Sequence, residues 1–189
     1  SAAAGGNTTI LPFAMQIKGQ SLRKCVEDYH KKASGNLYID TSFHLIISDP
    51  TPQVLGQELP ALSKDGYTSF KVFMTYDDLV LNDKELIEVF DVAKQLKTLV
   101  MVHAEGYDSI KYLSDKFEKE GKTAPYYHAP TRPQIVEREA THRAISHAQI
   151  VDIPLMIVHV SGEEALNQIR WAKNKGIKVF SETCPQYIC

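Results

Sequence analysis

Long hydrophobic runs are missing from this chain. No apolar segment approaches the ~18 residues that a membrane-spanning helix needs, so no membrane partner is expected. Charge of one sign is missing too. Lys and Arg total 21 against 23 Asp and Glu, a formal net charge of -2, and no global field draws nucleic acid or a membrane surface. Cysteine is scarce and odd in number. Cys25, Cys184 and Cys189 are widely spaced, which argues against a disulfide framework. They read as small apolar packing residues in a reducing, cytoplasmic setting. No G-x-G-x-x-G follows the first predicted strand; Gly5-Gly6 precedes it, which argues against dinucleotide binding. The start, Ser1-Ala2-Ala3-Ala4-Gly5-Gly6, has neither the basic nor the apolar region of a signal peptide. It also lacks an initiator methionine, and the expectation is that the chain begins inside a longer protein. Repeats, low-complexity segments and linkers are absent as well.

What is present is an ordinary globular composition: 189 residues, 43% hydrophobic and 23% charged. That is enough for one domain with a sizeable core. Short β-rich runs alternate with helical stretches. The predicted strands are Thr8–Phe13, Tyr38–Ile47, Ser69–Met74, Leu99–His103, Leu155–Val160 and Lys178–Glu182. The predicted helices are Ser21–Lys32, Pro52–Lys64, Asp83–Leu96, Asp108–Glu120, Pro133–Ile150 and Gly162–Lys175. Ser21 is a candidate N-cap, and Gly176 a candidate glycine just past a helix end. Leu86, Val89, Phe90 and Ala93 fall at helical spacing. The longest irregular stretch is Thr123–Arg132. This β-α-β-α alternation predicts a parallel sheet with helical crossovers. Runs such as Leu99-Val100-Met101-Val102 and Leu155-Met156-Ile157-Val158 fit strands covered on both faces. The fold is then an open doubly wound sheet or a (β/α)8 barrel. A barrel needs eight strands, so with six the barrel reading requires pieces outside the chain.

In either fold, sites form at the C-terminal ends of parallel strands. Three residues stand out there. His103 closes Leu99–Val102, His159 lies near the end of Leu155–Val160, and Lys71 sits inside the apolar Phe70-Lys71-Val72-Phe73-Met74. A lone strand-end histidine is usually a hydrogen-bonded structural residue. Two at equivalent ends of parallel strands point toward one face and favour a shared role. A buried ammonium is costly unless paired or neutralised. The plain reading of Lys71 is an ion pair or an escape to solvent. The functional reading is an amine of lowered pKa, able to react with carbon dioxide. The resulting carbamate is an anionic, two-oxygen ligand that can bridge two metals. The other histidines have plainer readings. His44 lies on a strand and reads as structural. His128, His142 and His147 fall in a loop or on a helix as solvated residues, and the last two are five apart rather than at the zincin spacing. Glu105 reads as a partner of the site or a simple loop acid, Arg132 as a loop anchor, and Tyr126-Tyr127 as packing residues.

Phe70-Lys71-Val72-Phe73-Met74-Thr75-Tyr76 resembles the carboxylated-lysine strand of the dihydropyrimidinase and D-hydantoinase family. Val102-His103-Ala104-Glu105 resembles that family's fifth-strand motif and Val158-His159-Val160-Ser161 its sixth. Glu182-Thr183-Cys184-Pro185-Gln186-Tyr187 is similar to its seventh-strand segment. Arg132-Pro133 with Glu137-Arg138-Glu139-Ala140-Thr141 is similar to the stretch between strands five and six. The resemblance runs over essentially the whole chain. It departs at Gly106-Tyr107-Asp108, where the family often has Asn-Gly-Asp.

The resemblance implies an α/β fold that is a partial (β/α)8 TIM-type barrel, strands two through seven, with residues 1–189 forming a single incomplete barrel domain. It implies two zinc ions per complete subunit, bridged by carboxylated Lys71. His103 and His159 would be ligands of the second zinc, and Tyr76 would stabilise the oxyanion on a small-molecule cyclic amide. The family's H-x-H pair and its strand-eight Asp would lie beyond the two chain ends, so the isolated chain is expected to be inactive. The parent protein is expected to be a homotetramer that hydrolyses dihydropyrimidines such as dihydrouracil, or hydantoins. The stretch Gln57-Glu58-Leu59-Pro60 through Tyr76-Asp77-Asp78-Leu79 looks most like dihydropyrimidinases, and Val102-His103-Ala104-Glu105 differs from the usual fifth-strand motifs of allantoinase and dihydroorotase. A catalytically inactive, dihydropyrimidinase-related interaction protein is the alternative; retention of Lys71, His103 and His159 argues against it.

Overall fold

The structure is a computed structural model and describes residues 1–188. Six parallel strands form the main sheet: β2 (Phe13–Met15), β4 (His44–Ile46), β5 (Ser69–Phe73), β6 (Leu99–His103), β7 (Leu155–Ile157) and β8 (Val179–Ser181). They neighbour one another in chain order, with no reversal. A doubly wound sheet reverses its strand order at a switch point; a (β/α)8 barrel does not. The sheet is therefore six consecutive strands of a partial TIM-type barrel, as expected.

Two strands each break where the sequence reads one. Thr8–Phe13 divides into β1 (Thr9–Ile10) and β2, and Tyr38–Ile47 into β3 (Asp40–Thr41) and β4. β1 and β3 pair as a separate two-stranded sheet. The break falls at Pro12, which has no N–H to give to a ladder. Its carbonyl still accepts from His44 N at 3.0 Å, so the chains stay adjacent across the break.

The helices are α1 (Leu22–Ala33), α2 (Leu59–Lys64), α3 (Asp83–Leu96), α4 (Tyr107–Lys119), α5 (Gln134–Val151) and α6 (Glu163–Asn174). Each predicted helix is present, and the ends obey local chemistry. Ser21 caps α1 by accepting from Lys24 N. Asn82 and Glu85 cap α3 reciprocally. Gly176 takes φ 77° just past α6. The predicted helix Pro52–Lys64 is corrected in its first half, where Val54–Glu58 forms a π-helical turn before α2. Pro60 at the start of α2 cannot donate the bond that a continuous α-helix would require. The irregular stretch Thr123–Arg132 contains a 3-10 helix, Pro125–Thr131.

Alternation along the strands divides the sheet faces. Leu45, Phe70, Val72, Val100, Val102, Leu155 and Ile157 join the helix residues Leu86, Val89, Phe90, Ala144 and Ile145 in one core. The other face carries a row fixed by register: Met15, Ile46, Lys71, Met101, Met156 and Phe180 lie side by side. Lys71 is thus the one charge in an otherwise apolar row. Cys25 belongs to the core, where burial raises its thiol pKa to about 11, and Cys184 is half-buried. Both fit packing roles; Cys189 lies outside the described residues. No described helix is long and apolar enough to cross a membrane.

Candidate metal centre

The loops after β5, β6 and β7 converge on one cavity of about 550 Å³. Its walls include Phe73, Tyr76, His103, Glu105, Arg132 and His159. His103 ends β6, where parallel pairing with Phe73 fixes its backbone. Its ring stacks on Phe73 at 5.4 Å and lies 4.5 Å, centroid to centroid, from His159. Tyr76 meets the same imidazole at 5.1 Å. The sequence candidates Tyr76, His103 and His159 are therefore assembled directly. Lys71 lies one layer deeper and is not part of the cavity wall. Its Nζ is 4.8 Å from the Phe73 ring centre and 5.8 Å from that of Phe13.

Backbone strain gathers at this place. Among the described residues, four non-glycine ones have positive φ: Tyr76, Lys97, Asp152 and His159. Lys97 and Asp152 simply terminate α3 and α5. Tyr76 (74°) and His159 (41°) end no helix. Their left-handed conformations turn the chain at the mouth of the cavity, and such strain persists only where surroundings enforce it. At Tyr76 the enforcement is a turn in which its carbonyl accepts from Leu79 N and Val80 N. Because His159 leaves the extended region, β7 stops at Ile157 rather than running to Val160.

Burial favours the neutral, electron-pair-bearing forms of Lys71 and His159. Lys71 is only 3% exposed, and among the described residues no hydrogen bond or ion pair reaches its amine. Burial lowers its pKa to about 7, opposed only by the charge of Glu182. His159 is lowered to about 4, by burial and then by His103 and Lys71. Burial and then Glu105 push the Tyr76 phenol up, so it stays protonated. His103 Nε2 pairs with Glu105 Oε2 at 2.7 Å, and the arrangement leaves Nδ1 free. Glu105's other oxygen is 4.0 Å from Arg132 Nε. Glu105 is thereby a partner of the site rather than a free loop acid. Its pKa is lowered despite burial, which opposes the shift, by His103 and Arg132.

The donor set fits a metal. Two imidazoles lie together, that of His159 held neutral by burial and that of His103 oriented by a carboxylate as metal-bound histidines usually are. A buried amine without a counter-ion lies beneath them. Among the described residues no group of three or more His, Cys, Asp or Glu forms a complete cage. His103 and His159 could thus supply two ligands, and Lys71 a further one as a carbamate.

Two sequence readings change here. His128 is exposed, as read, although it also lines the cavity and meets Arg132 at 3.2 Å. His147 is half-buried rather than solvated, its Nε2 3.2 Å from Asp83; the five-residue spacing carried no signal of a partner on another helix. Glu137 was noted only as part of a resembling segment. Its carboxylate accepts from Ser161 N and Gly162 N at 2.8 and 2.7 Å. His44, by contrast, is hydrogen-bonded to Ser69 as a structural residue.

Comparison with known proteins fits this geometry. No family model matches the chain. The D-hydantoinase of Ralstonia pickettii is 47% identical over all 189 residues, and that of Geobacillus stearothermophilus 47% identical over 190 aligned positions. The chain belongs to the D-hydantoinase and dihydropyrimidinase family. A solved D-hydantoinase superposes with a TM-score of 0.96 at 47% identity, covering 99% of this chain and 41% of its own. The dihydropyrimidinase from Brevibacillus agri NCHU1002 superposes at 0.95 with 44% identity, over 98% of this chain and 41% of its own. The chain spans about 41% of the length of the hydantoinases it matches.

Proposed function

We propose that this chain carries part of the active site of a metal-dependent cyclic amidohydrolase, one that opens the C–N bond of a dihydropyrimidine or hydantoin ring. The observation that supports it most is Lys71. An amine 3% exposed and with no hydrogen-bonded or ion-paired partner among the described residues, one layer beneath the His103 and His159 imidazoles, is an expensive feature for a structural domain. As a carbamate it becomes an anionic ligand, and the expense turns into function. An inactive interaction protein has no use for it.

When bound, two zinc ions would polarise the scissile carbonyl and lower the pKa of water. The chain's own residues do the rest. Carboxylated Lys71, His103 through Nδ1 and His159 hold the ions. Glu105, steadied by Arg132, keeps the His103 proton on Nε2. The Tyr76 hydroxyl, held protonated, donates to the ring carbonyl oxygen as charge grows there. Across Tyr76 lies a second cavity of about 800 Å³, whose walls include Met15, Ile17, Leu79 and Ile110. It would take a substituent carried by the ring. The whole protein is proposed to be a homotetramer working in the cytoplasm on small molecules.

The test is ring opening of dihydrouracil and of a 5-substituted hydantoin by the full-length protein, with zinc and bicarbonate supplied. Hydrolysis that disappears on chelation and in Lys71→Ala supports the proposal. Hydrolysis that survives both overturns it.

A further inference from the structure

His159 is held in a conformation its own side chain disfavours, with φ at 41°. The restraint comes from the residues that follow. Ser161 N donates to Glu137 Oε1 at 2.8 Å and Gly162 N to Glu137 Oε2 at 2.7 Å. Ser161 Oγ donates back to the His159 carbonyl at 3.1 Å. On the other side, Val160 N donates to the Glu182 carbonyl and Thr183 Oγ1 to the Val160 carbonyl. Among the described residues, only Glu137 engages the turn with a charge and with both oxygens.

Gly162 makes that grip possible. It precedes α6 and offers no side-chain cap of its own. A Cβ there would lie 3.0 Å from Glu137 Oε2 and 3.2 Å from Gln134. Glu137 reaches across from α5 and lines the same cavity as His103 and His159.

We infer that Glu137 is a positioning residue: by gripping the Ser161 and Gly162 N–H groups, it fixes the His159 turn and aims that imidazole at the metal site. The inference rests on the metal-dependent reading above, which gives His159 something to hold. A plain helix cap is the competing role, and the chain contains one for comparison. Glu58 accepts from Leu22 N and Arg23 N at the start of α1, with no histidine beside it and no place on the cavity wall.

The experiment uses the full-length enzyme loaded with Co²⁺. Its readouts are Co²⁺ affinity by chelator competition, the visible spectrum of the bound ion, kcat and the thermal midpoint. Glu137→Ala is expected to weaken Co²⁺ binding about 10- to 100-fold, the usual effect of losing a group that orients a ligand, and to change the spectrum. Glu137→Gln, which keeps one acceptor, should fall between it and the wild type. Glu58→Ala should lower the thermal midpoint with Co²⁺ affinity and spectrum unchanged. Gly162→Ala, which displaces the carboxylate, should weaken Co²⁺ binding alone but add nothing in the Glu137→Ala background. A Glu137→Ala enzyme that loses thermal stability but binds Co²⁺ like the wild type overturns the inference. Should Glu137→Ala fail to fold, wild-type Co²⁺ affinity in Gly162→Ala overturns it equally. A wild type that takes up no Co²⁺ sinks the metal-dependent reading itself, and the inference with it.

Discussion

Replacing Lys71 by methionine removes a buried amine and keeps most of the side chain's length. The effect on stability can be worked from the fold. Burial brings the folded-state pKa to about 7 from the ordinary 10.5. One unit corresponds to about 1.36 kcal/mol, so charging this amine inside the protein costs on the order of 5 kcal/mol. Its folded pKa is depressed, so between these two values the unfolded chain binds the extra proton. Stability from this group is therefore complete above pH 10.5, is lost as pH falls toward 7, and is flat below. Urea unfolding of metal-free protein in carbon-dioxide-free buffer, from pH 6 to pH 10.5, measures it. Taking the difference between Lys71→Met and wild type cancels the other titrating groups. The variant should be the more stable by several kcal/mol at pH 7, and the gap should shrink steadily toward pH 10.5. A gap that does not change with pH refutes the reasoning, because it means the amine finds solvent or a counter-charge. The same depression matters to function. At pH 7 about half of such amines are neutral, on the order of a thousandfold more than for an exposed lysine, and only the neutral amine forms a carbamate.

Tyr76→Phe should cost about 10²- to 10³-fold in kcat, the usual loss of one oxyanion donor. Substrate binding and metal content should be little changed, as steady-state kinetics and metal analysis would check. Glu105→Gln should weaken metal binding about 10- to 100-fold, read by chelator competition, since the amide no longer fixes the His103 proton as a carboxylate does. Glu58→Ala should destabilise the fold by about 1–3 kcal/mol in urea, because Leu22 N is left buried without an acceptor. The isolated chain should show no cyclic-amide hydrolysis; measurable turnover by the purified chain would refute that.

Much of this was legible in the residues. Six strands, six helices and their order follow from apolar runs and caps, and the positions of His103 and His159 at strand ends follow from the parallel alternation. What the sequence concealed depends on single backbone atoms or on contacts across elements. Pro12 divides two strands because a missing N–H acts on both partners of a ladder. Pro60 opens a π-helical turn for the same reason. The choice between barrel and doubly wound sheet rests on strand order, which periodicity does not encode. Lys71 could be singled out as a charge in an apolar strand, but its lack of a counter-ion is a fact of packing. Glu137 and His147 were unreadable because their partners, Gly162 and Asp83, lie on other segments far along the chain. A carbamate was one of two readings that a lysine in an apolar strand allows, and resemblance chose between them.

Metal stoichiometry tests the central claim most directly. The full-length protein, expressed with zinc and bicarbonate, would be analysed for metal per subunit beside its Lys71→Ala variant. The account expects two ions per subunit in the wild type and a large loss in the variant. A wild type without bound metal, or a Lys71→Ala protein that keeps its full complement, would contradict it.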